Sequence, residues 1–378
     1  MIMRVLITDS ELKQALAITQ SLGRKGIAVS CLSYNRAACS FYSKYCQEKF
    51  ICPYLSDKKN YIKLLFEIVK KKKYELLFTC SDAATEYISE VRAKLLRYIR
   101  YLLPDHENIV LALNKDKLMR FCQERGFPIP RTAYPKSRQD ILAFDGEVNY
   151  PLVLKGSRGA SAQHVRYAES KDELLAGYSE LKGKAPEVII QEYIAGDNYG
   201  FYGLCDEGEV FAFFIFRTIR SYPATGGTPS KAISFYDGKL EKFAKKILRE
   251  LRWSGFVNID FMKDTRDGEY KLLEINPRFG GTTPLAISCG VDFPMLLYEF
   301  VVKGRETTCN NYKIGKIYRS LFREEVLHAF ERPRVIPQML FELFNPFVSY
   351  GIHLADLAPL IGMARTLGWQ LKNKLARN

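Results

Sequence analysis

The segment KLLEINPRFGG, residues 271–281, sets Glu274, Asn276 and Arg278 at every second position and ends in a glycine pair. Alternate side chains of a strand share one face. A carboxylate, a carboxamide and a guanidinium on one face make a poor core, because burying unpaired charge is costly, so they imply a charged ligand opposite them. The preceding stretch GFVNIDFM carries Asp260, and DTRDG between the two reads as a hairpin turn. A turn centred near Asp267 sets Asp260 across from Glu274 and Asn258 across from Asn276. Such an oxygen-rich group suits Mg²⁺, a hard cation usually held by one or two carboxylates plus substrate phosphates. The competing reading is a solvated strand face.

Two lysines belong to the same chemistry. Lys155 ends the apolar run PLVLK before the small-residue stretch GSRGASAQ, which is suited to close over a phosphate chain. Lys117 stands at the start of the helical stretch KDKLMRFCQERG. Singly, each reads as a surface cation. In chain order, cations on early elements followed by a carboxylate hairpin are the parts of a phosphoryl-transfer site.

The elements that must position these residues follow from hydrophobic period. RVLIT, IAVSCLS and ELLFTCSD read as strands separated by the helical stretches ELKQALAITQSLGRKG and YIKLLFEIVKKKKY, which implies a parallel α/β layer. Its first turn, TDSELKQA, has no glycine, so backbone cannot approach a pyrophosphate there and NAD is not expected. Ser81 and Asp82 end a strand, where α/β sheets place ligand groups; a helix cap is the alternative. Beyond the proline-rich FPIPRTAYP come further strands, and from about residue 304 short helices punctuated by prolines.

At 378 residues the chain can bury several cores. Lys and Arg exceed Asp and Glu by 56 − 42 = 14, but the excess is dispersed, which argues against a nucleic-acid stripe and keeps anionic small molecules as partners. Nine unpatterned cysteines read as reduced thiols, without a disulfide framework or zinc site; Cys289 is expected to be a packed thiol. No apolar run reaches a membrane span and no secretory signal is expected, so the expected location is cytoplasmic.

From residue 114 to 303 this order resembles the ATP-grasp superfamily, and EINPRFGG is its most specific piece. The resemblance implies Lys117 and Lys155 on phosphates, and a mobile loop over residues 156–163 with Gly156, Ser157, Gly159, Ala160 and Ser161 binding nucleotide. It implies an adenine hinge at Glu192, Tyr193 and Ile194, with Asn198 where an acidic ribose contact is common. It further implies Arg217 and Arg220 near the phosphates or acyl group, Asp260, Glu274 and Asn276 as metal ligands, and Arg278 on the acyl phosphate. A loop poor in glycine, with His164 where glycine is common, departs from biotin-carboxylase types. A single module departs from carbamoyl-phosphate synthase.

The expected fold is α/β and α+β: a Rossmann-like pre-ATP-grasp domain (1–113), a small lobe with the mobile loop (114–187), a large lobe with the metal hairpin (188–304) and a helical C-terminal extension (305–378). The implied function is a ligase using ATP and Mg²⁺, or Mn²⁺, to join a small carboxylate to an amine through an acyl phosphate. A non-catalytic nucleotide-binding protein, or the same chemistry on a protein or cell-envelope precursor, is the alternative. A homodimer is left open. The extension, from residue 331, is expected to cap the ligase.

Overall fold

The structure is a computed structural model that describes residues 3–159, 164–224, 226–320, 323–342, 345 and 348–375. Near the N-terminus, Arg4–Ile7, Ala28–Ser33 and Leu76–Phe78 are apolar runs buried almost throughout. With the amphipathic strand Cys46–Ile51 at one edge they form an all-parallel sheet. Both faces are covered. Tyr61, Leu65 and Ile68 of helix Lys58–Lys71 pack on one side. Ile18 and Leu22 of helix Lys13–Gly23 pack on the other, where they also meet Tyr202 and Phe214 of a second sheet. The strand order reverses beside Arg4–Ile7, so a crevice opens at the carboxyl ends of Arg4–Ile7 and Leu76–Phe78.

A small antiparallel sheet runs in the order Thr132–Ala133, Val188–Glu192, Leu152–Gly156, Val165–Ala168. Helices Arg138–Asp145 and Lys171–Lys182 close one face through Ile141, Phe144, Leu174 and Leu181.

The largest sheet carries the carboxylate hairpin. Its order is Tyr270–Asn276, Gly255–Asp264, Gly196–Asp206, Glu209–Tyr222, Thr228–Phe235, Ile317–Arg319, Val348–Ser349. Asp260 pairs with Glu274 and Asn258 with Asn276, the register that a turn near Asp267 dictates. One step on, Phe261 pairs with Leu272, so Leu273 is an extra residue in the ladder and bends the hairpin beside its charged end.

The C-terminal part departs from a purely helical extension. Ile317–Arg319 and Val348–Ser349 add two short strands to the open edge of the large sheet. An unpaired edge leaves backbone donors and acceptors without partners, and these strands satisfy them. The helix Pro359–Leu375 then crosses to the N-terminal sheet, where Gly362 fits against Cys39 and Tyr42 with no room for a Cβ. Buried Asp356 accepts hydrogen bonds from Gln20 Nε2 at 2.9 Å and the Lys44 backbone at 3.0 Å. Among the described residues no single helix is long and apolar enough to cross a membrane; Thr283–Cys289 and Phe293–Lys303 qualify only as a pair bent by 84°, and both bury apolar side chains in the core.

Candidate functional site

Two cavities meet at the charged end of the hairpin. The smaller, about 260 Å³, lies between the small and large sheets and is lined by Lys155, Gly156, Glu192, Tyr193, Ile194, Asn198, Asp260 and Glu274. The larger, about 970 Å³, runs from Asn276 and Arg278 along the crevice of the N-terminal sheet to the C-terminal segment. Lys115, Arg158, Gly159, Thr228, Glu274, Arg278 and Gly281 line both.

At the junction, strand alternation brings the expected groups together. The Asn276 Nδ2 donates to Asp260 Oδ2 at 3.2 Å and to Glu274 Oε1 at 3.3 Å. Its Oδ1 accepts from Arg278 Nη2 at 3.2 Å, and Arg278 Nε donates to Asp82 Oδ1 at 2.9 Å. Burial, then the facing Glu274 carboxylate, push Asp260 well above the ordinary carboxylate range. Burial works the same way on Glu274. Lys115, with hydrogen bonds from Asp260 and Asn276, outweighs it and holds Glu274 down to about 2. Two carboxylates this close resist ionising together, and Asp260 is the one pushed toward its neutral form. Lys155 is half-buried at the end of its strand in the small sheet; desolvation, then repulsion from Lys115, bring its ammonium down to about 8 against the pull of Glu274.

The glycine pair after Arg278 has a packing reason. A Cβ on Gly280 would lie 2.2 Å from the Tyr202 hydroxyl, and one on Gly281 2.4 Å from Lys13 Cε. Tyr202 hydrogen-bonds Thr282, accepting from its backbone at 3.2 Å. Ser81 caps its helix, accepting from Ala84, and donates to Asp9 at 2.9 Å, while Asp82 holds Arg278. Cap and site are therefore neighbours rather than alternatives. Cys289 is buried and lines neither cavity.

Several expected residues lie elsewhere. Lys117 is exposed and outside both cavities, whereas Lys115 sits 3.5 Å from Glu274 Oε2 and donates to the Gly159 carbonyl at 3.1 Å. Helix period explains this: Lys115 shares a face with the buried Leu118, Met119 and Cys122, and Lys117 does not. That signal was present in the sequence. Arg217 points away from the cavity that Phe216 and Thr218 line and pairs with Asp197 at 3.1 Å in solvent. Arg220 would follow Phe216 and Thr218 by alternation, but ladder irregularities around it turn it into a buried cluster with Glu325 and Glu342. Ser157 faces inward, its hydroxyl accepting from the Glu187 backbone at 3.3 Å. Ala160 and Ser161, with the rest of the loop through Gln163, lie outside the described residues. Glu192 lines the small cavity while bound by the Arg131 backbone at 2.9 Å and by Arg266 at 2.9 Å.

Residues 112–282 match the family model of the ATP-grasp domain. D-aspartate ligase of Enterococcus faecium is 27% identical over 249 residues, covering 61% of this chain and 59% of the relative. A D-alanine--D-alanine ligase of Ectopseudomonas mendocina is 26% identical over 224 residues, covering 52% of this chain and 66% of the relative. The chain thus spans about three fifths to two thirds of these relatives' own length. The solved biotin carboxylase of Campylobacter jejuni superposes with a TM-score of 0.70 at 17% identity, over 84% of this chain and 74% of that one, a likeness of fold.

Proposed function

We propose, from the ATP-grasp domain at residues 112–282, that this chain is an ATP-dependent carboxylate–amine ligase working through an acyl phosphate. The observation that carries the reading is the junction itself: Asp260, Glu274 and Asn276 meet Lys115, Lys155 and Arg278 where two cavities join. The smaller cavity, with its hinge residues Glu192 to Ile194, suits a nucleotide; the larger suits the acid and amine. Both relatives are named as amino-acid ligases, which supports an amino-acid-like acid. The use of ATP points to the cytoplasm.

The residues fit a divalent cation shared with phosphates. Asp260 and Glu274 face each other across the hairpin with Asn276 hydrogen-bonded to both, and among the described residues no three His, Cys, Asp or Glu side chains form a self-sufficient metal cage, so phosphate oxygens would complete the set. Asn276 would turn its carboxamide oxygen toward the ion. Bound Mg²⁺ would supply neutralisation of phosphate charge as the γ-phosphoryl group moves.

The protein side chains do the rest. A carboxylate and a γ-phosphate repel, by about 4 kcal/mol for unit charges 4 Å apart at an effective dielectric near 20. Lys155, Lys115 and Arg278 offset this in fixed positions, so no reorganisation is needed at the moment of reaction. A carboxylate oxygen attacks the γ-phosphorus and the bond to ADP breaks. The amine lone pair then attacks the acyl carbon, the carbon–oxygen bond to phosphate breaks, and phosphate leaves with that pair. The proton from nitrogen passes to solvent.

The test is ADP and phosphate release from Mg-ATP with pools of amino acids and amines. Release that needs both an acid and an amine, and is abolished in an Asp260→Ala, Glu274→Ala variant, supports the reading. AMP and pyrophosphate would overturn it.

A further inference from the structure

We infer, resting on the ligase reading above, that the larger cavity takes its amine from a phosphorylated amino sugar rather than from a free amino acid. The first reason is charge. Along the inner wall each cation has a carboxylate: Lys115 with Glu274, Arg278 with Asp82, Arg158 with Glu86 and Lys13 with Glu324. At the outer rim the exposed Arg36, Arg323 and Arg365 line the cavity with no ion-pair partner among the described residues, and Glu11, the lining carboxylate without a cation, is pushed toward its neutral form by burial and Asp9. Arg365 reaches only the Tyr42 hydroxyl, at 2.7 Å.

These guanidinium groups are on connected chain segments. Asn35 Nδ2 donates to Thr366 Oγ1 at 3.3 Å, so Arg36 and Arg365 each adjoin one member of a bonded pair. Arg323 acts on Tyr34, whose hydroxyl burial and Glu11 raise and Arg323 pulls back. A carboxylate brings one negative charge and one fork of acceptors. A phosphate monoester brings nearly two charges and three oxygens, the better match to this surplus.

The second reason is shape. Tyr34 and Tyr54 stand at the same rim with ring centroids 4.6 Å apart and planes inclined by 33°. Tyr54 is 62% exposed, an apolar face open to a sugar ring. A volume of about 970 Å³ is at the upper end for a site enclosing a drug-sized ligand; an amino-acid-sized acid and a free amino acid together beside Arg278 would leave much of it empty. The C-terminal segment supplies Arg323 and Arg365, so its place in the fold makes it a wall of the acceptor site.

The experiment uses the full chain with Mg-ATP. Hydroxylamine, a small uncharged acceptor, first traps the acyl phosphate as a hydroxamate across a panel of amino acids, which identifies the acid. With that acid, glucosamine 6-phosphate, glucosamine and D-alanine are compared as amines. The expected result is a kcat/KM for glucosamine 6-phosphate at least tenfold above both others. That preference over glucosamine should fall to within threefold in an Arg36→Gln, Arg323→Gln variant, and a Tyr54→Ser variant should raise KM for both sugars. Hydroxamate formation together with equal or better use of D-alanine overturns the inference and leaves the ligase intact. A preference that survives loss of the arginines also overturns it. Absence of hydroxamate with every acid overturns inference and ligase reading together.

Discussion

Two clusters of the same residue types meet different fates in this protein. In one, Asp260, Glu274 and Asp82 face Lys115, Lys155 and Arg278 at the junction of two cavities. In the other, Glu325 and Glu342 bind Arg220, Lys231 and Arg319 at 2.6 to 3.8 Å, all buried and none lining either cavity. The closed cluster joins strands of the large sheet to the C-terminal segment, with Glu342 held in its charged form against burial by Lys231 and Arg220. In the open cluster burial and Glu274 push Asp260 toward its neutral form. Charges paired with one another away from any cavity are structural; charges gathered beside a cavity are placed to meet a ligand. The arginine expected in chemistry, Arg220, belongs to the first kind.

This contrast is open to direct attack. The largest effect is expected at the open cluster: Asp260→Ala with Glu274→Ala should lower ligase turnover by about 10³-fold or more, with circular dichroism unchanged. At the closed cluster Glu342→Ala should instead lower unfolding stability by about 3–5 kcal/mol in urea titration, since it strands buried cations; a loss under about 1 kcal/mol would break the distinction. Glu11, on the larger cavity, gives a pH signature. Burial, then Asp9, raise it from 4.5 to about 7 against a hydrogen bond from Ser33. Between those values the native state holds a proton that the unfolded chain has lost. Stability therefore falls as pH rises through that window, by up to about 3 kcal/mol, and Glu11→Gln should flatten the curve. Smaller is the lysine comparison: Lys115→Ala should cut kcat/KM for ATP by about 10- to 100-fold, and Lys117→Ala by less than about twofold. Smallest is Arg217→Ala, whose exposed pair with Asp197 should count for less than about 0.5 kcal/mol in thermal unfolding.

Legibility followed the range of the interactions. The hairpin was readable because a two-residue period and a short turn fix which side chains face each other, and Asp260 does pair with Glu274. Lys155 was readable as the end of a buried strand. Helix phase distinguishes Lys115, on the buried face, from Lys117, the lysine that the motif resemblance implied. Ser157 illustrates a different limit: a hydroxyl in a small-residue stretch can turn to ligand or to backbone, and the nearby Glu187 amide decided it.

By itself the sequence determined the local chemistry: which carboxylates, amides and cations lie on one strand face, and that a parallel α/β layer precedes them. Those follow from periods of two and 3.6 residues, which act within one element. Only the tertiary structure decided which cations reach that face. Arg220 left it through ladder irregularities, Asp82 came to Arg278 from 196 residues away, and the C-terminal segment closed the far wall of the larger cavity. Long-range pairing of charge and packing against an open sheet edge depend on where other elements sit, and no local period encodes that.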